Sequence, residues 1–174
     1  MKKLIITIIC SLMLYGLSAQ SLTIYQNELG QYGFKDNSGK IIIQPKYESA
    51  LDFENGLAQV RLNFKFGFIN EKGIEIVPIK YQETGWGFSE GLCFVRLNNK
   101  YGFVDKTGNE MIPLKYDKAY SFKEGLAPIK LITKWGFIDK VGNESISLQF
   151  DDANNFSEGL APIKLNGKWG FIDK

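Results

Sequence analysis

From about Leu22 onward, apolar residues fall in short runs rich in β-branched and aromatic side chains, separated by Gly, Asn and Asp. Leu126 to Leu131 and Lys134 to Asp139 are two such runs joined by a few residues, as in a β-hairpin. Near the C-terminus the same join reads Asn166-Gly167, a pair in which both residues adopt the positive φ of a type I′ turn. Asp139-Lys140-Val141-Gly142 follows the second run, and Asp36 to Gly39, Asn70 to Gly73 and Asp105 to Gly108 match it. An Asx residue first and a Gly fourth is turn chemistry, so these aspartates read as turn formers. A third strand comes next, clearest from Asn109 to Tyr116, where Ile112, Leu114 and Tyr116 alternate onto one face. Each unit is expected to be three antiparallel strands plus a loop of about nine residues ending in Phe-x-Glu-Gly.

The unit recurs. An aromatic-Gly-Phe triplet appears at Tyr32-Gly33-Phe34, Phe66-Gly67-Phe68, Tyr101-Gly102-Phe103, Trp135-Gly136-Phe137 and Trp169-Gly170-Phe171, the glycines stepping by 34, 35, 34 and 34 residues. Gly56-Leu57, Gly91-Leu92, Gly125-Leu126 and Gly159-Leu160 keep the same period, as do Tyr47, Tyr81, Tyr116 and Phe150. The one extra residue falls within Gln82 to Gly87, which marks a surface loop able to absorb an insertion. Fourteen strands are expected between Leu22 and Asp173: four full repeats and a partial terminal one, within a domain of residues 20–174. Fourteen is not a multiple of three, and 34 residues is short for a four-stranded propeller blade. The expected fold is therefore all-β, with three-stranded antiparallel units of about 34 residues stacked as an open solenoid-like array, the alternative being a closed propeller-like ring. The chain stops at Lys174, where earlier copies turn into a third strand, so the last hairpin reads either as a cap or as the end of a truncated sequence.

Strand alternation assigns the columns. Gly136 shares a face with Ile138, so another backbone or a ring is expected to close onto it. Ala58, Cys93, Ala127 and Ala161 form a tight buried column in which Cys93 is a small core residue. Pro128 and Pro162 suggest that one side of the first strand is an edge. Most aromatic residues fall in four repeating columns, expected to stack as ladders between neighbouring units.

The N-terminus reads differently. Lys2 and Lys3 precede an apolar run from Leu4 to Leu17, the length of a signal-peptide core rather than of a membrane span. Cleavage is expected after Ala19, so residues 1–19 read as a signal peptide and the product as exported: periplasmic, cell-surface or secreted. Removing Cys10 with the leader leaves Cys93 without a disulfide partner. Removing Lys2 and Lys3 turns the formal charge of +2 into zero, which leaves no drive toward nucleic acid, and no membrane span is expected after cleavage. Histidine is absent, which excludes Ser/His/Asp and Cys/His catalysis and His-ligated zinc.

Lys134-Trp135-Gly136-Phe137-Ile138-Asp139-Lys140 and Lys168-Trp169-Gly170-Phe171-Ile172-Asp173-Lys174 closely resemble the WG repeat, also called the KWG repeat, of bacterial proteins. The resemblance implies a β-rich array of a kind often exported, with no general activity and no agreed catalytic residues. The expected function is a non-enzymatic binding or scaffold module for a protein or cell-envelope polymer, without cofactor, metal or catalytic residues. The alternative is glycan binding through exposed rings, with Tyr101, Trp135 and Trp169 as candidates. Two further sets are weighed and set aside: Glu90, Glu124 and Glu158 as paired catalytic carboxylates, and Asp151 to Asn155 as a calcium loop.

Overall fold

The computed structural model describes residues 21–174. The expected leader, residues 1–19, lies outside the described residues, among which no helix is long and apolar enough to cross a membrane.

The described chain is a series of five antiparallel sheets. The first holds β1 (Thr23–Gln26), β2 (Tyr32–Lys35) and β3 (Ile41–Tyr47). The second holds β4 (Ser49–Ala50), β5 (Leu57–Leu62), β6 (Lys65–Asn70) and β7 (Glu75–Tyr81), side by side in that order. The third repeats this with β8 (Glu83–Thr84), β9 (Leu92–Leu97), β10 (Lys100–Asp105) and β11 (Glu110–Tyr116). The fourth comprises β12 (Lys118–Ala119), β13 (Ala127–Leu131), β14 (Lys134–Ile138) and β15 (Glu144–Phe150), and the fifth β16 (Asp152–Ala153), β17 (Ala161–Leu165) and β18 (Lys168–Ile172). The fourteen long strands are those the period implies. The four two-residue strands are additional: each connection, read from sequence as loop, adds an outer strand to the hairpin that follows it.

The central glycine column fixes the shape of each sheet. Along β10 and β11, Tyr101 faces Tyr116 while Phe103 faces Ile112, so two residues on one strand match four on the other. The surplus bulges across the face of Gly102, where a Cβ would lie 2.5 Å from the Ile112 carbonyl oxygen. Gly67 and Gly136 meet the Val77 and Ile146 carbonyls at 2.5 and 2.6 Å, and Gly33 meets that of Ile43. Of the two closures expected, backbone is the one found.

The core lies between sheets. One cluster joins Phe34, Ile43 and Tyr47 of the first sheet to Ala58, Val60 and Ile69 of the second. Equivalent clusters join the second to the third, the third to the fourth and the fourth to the fifth. None of these clusters joins the last sheet to the first, so the array is open. At each of the four interfaces the Phe after the glycine meets the Phe of the next connection: Phe34–Phe53, Phe68–Phe88, Phe103–Phe122 and Phe137–Phe156, at 4.7–5.0 Å and 55–62°. The rings thus form tilted pairs across interfaces rather than stacked ladders, each pair contributing about 0.5–1.5 kcal/mol beyond burial. Cys93 is buried among them, and burial pushes its thiol up to about 12.

Candidate functional site

A repeat chain is its own control, because a residue shared by every copy serves packing and a departure serves something local. Three departures gather at one place. Gln59 stands where later copies have Phe94, Pro128 and Pro162, and Thr84 where others have Ala50, Ala119 and Ala153. Beside Thr84, Trp86-Gly87 replaces the single residue that is Asp52, Ser121 or Asn155 elsewhere. These departures touch. Gln59 Nε2 donates to Thr84 Oγ1 at 2.7 Å and to the Gly85 carbonyl at 2.6 Å, while Gly85 N–H donates to the Phe94 carbonyl at 2.9 Å. A Cβ on Gly85 would sit 3.2 Å from Cys93 Sγ, so glycine lets the loop pass this close to the core. The result is a pinned stem carrying an indole that is 85% exposed.

Two sizeable aromatic hollows have Trp86 in their lining. One of about 300 Å³ is lined by Gln59, Phe66, Thr84 and Phe94. The other, about 540 Å³, is lined by Phe94, Tyr101 and Tyr120 with Lys118, Lys123 and Asn155. Glu83 borders both. Its carboxylate accepts from the Tyr101 hydroxyl at 2.7 Å and lies 3.2 Å from Arg96 Nε, close enough for an ion pair but misaligned for a hydrogen bond. Burial, reinforced by the Glu83 bond, pushes the Tyr101 hydroxyl up to about 12, so it remains a donor at neutral pH. Tyr120 stacks on Trp135 at 5.2 Å, which ties the far wall to the core. An aromatic concavity with a few fixed polar groups is the usual form of a ligand site.

The profile described as "WG containing repeat" matches residues 32–65, 66–101, 101–131 and 135–169. The chain belongs to the WG-repeat family. Among solved structures, a chain described as "Crystal structure of the eukaryotic initiation factor" is similar in fold at 13% identity and a TM-score of 0.56. The match covers 90% of this chain and 49% of that one, so the WG array spans about half the length of the structure it resembles. Against curated proteins there is no significant match.

Of the residues proposed from sequence, the WG array brings only Tyr101 to the groove, half-buried and already bonded to Glu83. Trp135 is 3% exposed, covered by Tyr120 on one side and paired with Phe150 in the sheet. Trp169 is 56% exposed on the last sheet and lines neither hollow, and β18 has no third strand beside it among the described residues. Glu90 and Glu124 serve as inter-unit clamps: Glu90 accepts from Gly125 N–H at 3.1 Å and pairs with Lys140, and Glu124 accepts from Gly159 N–H at 3.1 Å and pairs with Lys174. Within the suggested calcium loop, Asp151 pairs with Lys134, Asp152 accepts from Ala153 N–H, and Asn155 donates to the Ser121 carbonyl. The residue that sequence reasoning passed over is Trp86. Its signal was present, as a tryptophan outside every repeating column, at the single insertion, between two glycines.

Proposed function

We propose that this WG-repeat chain is an exported, non-enzymatic binding module that holds a protein or cell-envelope polymer in the groove around Trp86. The carrying observation is that the chain departs from its own repeat to place an 85% exposed indole on a hydrogen-bonded stem. A solvent-facing tryptophan of this kind stabilises no core, and large exposed aromatic surface is what partners bind. Export rests on the leader at residues 1–19. The clamp role of Glu90 and Glu124 fits a scaffold better than catalysis, since each carboxylate is already bonded to a neighbouring unit.

The test is retention of the purified chain on immobilised peptidoglycan, cell-wall polysaccharides and envelope protein fractions, compared with Trp86→Ala. Retention lost in the variant at an unchanged melting temperature is the expected result. Retention that survives Trp86→Ala puts the binding face elsewhere on the array, and no retention on any support removes the reading.

A further inference from the structure

Resting on the reading of the groove as the binding site, we propose that its ligand is an acidic polysaccharide: sugar rings lie against Trp86 and its aromatic neighbours, and sugar carboxylates meet Lys118 and Lys123. Three observations converge on this chemistry.

The first is shape. The two hollows, of about 300 and 540 Å³, share Glu83, Trp86 and Phe94 in their linings, so they adjoin at the indole. A ligand that fills both is elongated and straddles Trp86. The second is surface. Trp86, Phe94, Tyr101 and Tyr120 present ring faces and edges, and a pyranose ring offers the matching combination of an apolar C–H face and a hydroxyl rim. The bonds from Gln59 fix Thr84 and the Gly85 backbone next to Trp86 before binding, which lowers the ordering cost of association.

The third is charge. Glu83 is committed to Tyr101 and Arg96, whereas Lys118 and Lys123 are exposed and have no ion-pair partner among the described residues. Both lysines belong to the connection between the third and fourth sheets, and both line the larger hollow. Within these two hollows the uncommitted charge is therefore positive. Lys123 also faces the exposed Glu54 across a third hollow of about 270 Å³ beside Trp86, which leaves Lys118 as the lysine with no carboxylate in its hollows but the committed Glu83. A polymer with a carboxylate on successive sugars offers a partner to each lysine, which one small anion does not. An acidic peptide is the poorer fit. Acidic peptides are read by clustered arginines or by strand addition at a sheet edge; the one arginine beside the groove, Arg96, is held at Glu83, and the edges there, β8 and β12, are two residues long.

Binding of the purified chain to polygalacturonate, alginate and hyaluronate is measured by calorimetry, beside carboxyl-reduced polygalacturonate and poly-glutamate. The expected result is binding to at least one uronate polymer, at least tenfold weaker for a carboxyl-reduced form, lost in Trp86→Ala and reduced about tenfold in Lys118→Gln/Lys123→Gln, with melting temperatures unchanged. Equal binding of the reduced and acidic polymers overturns the carboxylate assignment, and tighter binding of poly-glutamate overturns the glycan. If no uronate polymer binds while envelope proteins are retained through Trp86, this inference fails and the broader reading stands. If nothing depends on Trp86, both fail.

Discussion

Gly136 and Gly170 occupy the same place in two copies of one triplet, and the structure gives them opposite tolerances. At Gly136 a Cβ would sit 2.6 Å from the Ile146 carbonyl oxygen and 2.9 Å from Leu148 N, both backbone atoms of a hydrogen-bonded strand that have nowhere to go. At Gly170 nothing lies within 4 Å. Gly136→Val is expected to cost at least about 3 kcal/mol, the upper end of overpacking penalties or beyond. Gly170→Val should change stability by less than about 0.5 kcal/mol, as surface changes do. Urea denaturation of the two variants checks this, and equal losses would show that the bulge does not set the glycine column. The glycine period and the closed face were legible in the sequence. What closes the face was not, because the bulge arises from a register slip between Phe103 and Tyr101, and alternation alone carries no register. Trp86 was missed for the opposite reason: it repeats nothing, and periodicity reports only what recurs.

At the scale of elements, the Glu-Gly turns are the informative case. Glu90, Glu124 and Glu158 all sit at φ of 53–54°, a region in which Asn is far more comfortable than Glu, and the first copy does carry Asn55 there at φ 51°. Two of the three glutamates, Glu90 and Glu124, offset that conformational cost by reaching the next unit. Burial pushes the Glu90 carboxyl up, but the Lys140 ammonium and the Gly125 N–H outweigh it and hold it below the ordinary value. No such partner is seen for Glu158 among the described residues. The same substitution should therefore have opposite signs: Glu158→Asn raises the melting temperature by relieving the turn, and Glu90→Asn lowers it by releasing the clamp. Parallel thermal melts decide, and two falls of similar size would remove the clamp from the account. The turn aspartates were readable in advance, and Asp105 does accept the N–H groups of Thr107 and Asn109 as an Asx turn should. The two-residue strands were not, since alternation needs more than two positions to register, and neither was the clamp, whose partner depends on how sheets stack.

For the whole molecule, titration reports how the sheets are held. Seven carboxylates lie below their ordinary range, each for a local reason: Asp117 and Asp151 through the Lys100 and Lys134 ammonium groups, for example, and Asp36 and Asp105 through the Ser38 and Thr107 hydroxyls. As pH falls, the unfolded chain takes up protons before the folded one does. The stability these groups contribute is thus present above the ordinary carboxylate range, near pH 4, and lost as pH drops through the lowered folded values. At the other limit burial raises the Tyr47 and Tyr81 hydroxyls, and takes Tyr101 and the Cys93 thiol to about 12. Their contribution is present below the unfolded values, about 8.5 for a thiol and 10 for a phenol, and is lost as pH rises toward 12. No histidine titrates between these limits. The urea midpoint should therefore be flat from about pH 6 to 8 and fall on both sides, and Cys93→Ala should move the alkaline onset from the thiol range up to the phenol range. A slope between pH 6 and 8, or an alkaline limb indifferent to Cys93, would contradict an array held by buried cores between sheets and carboxylate clamps at their margins.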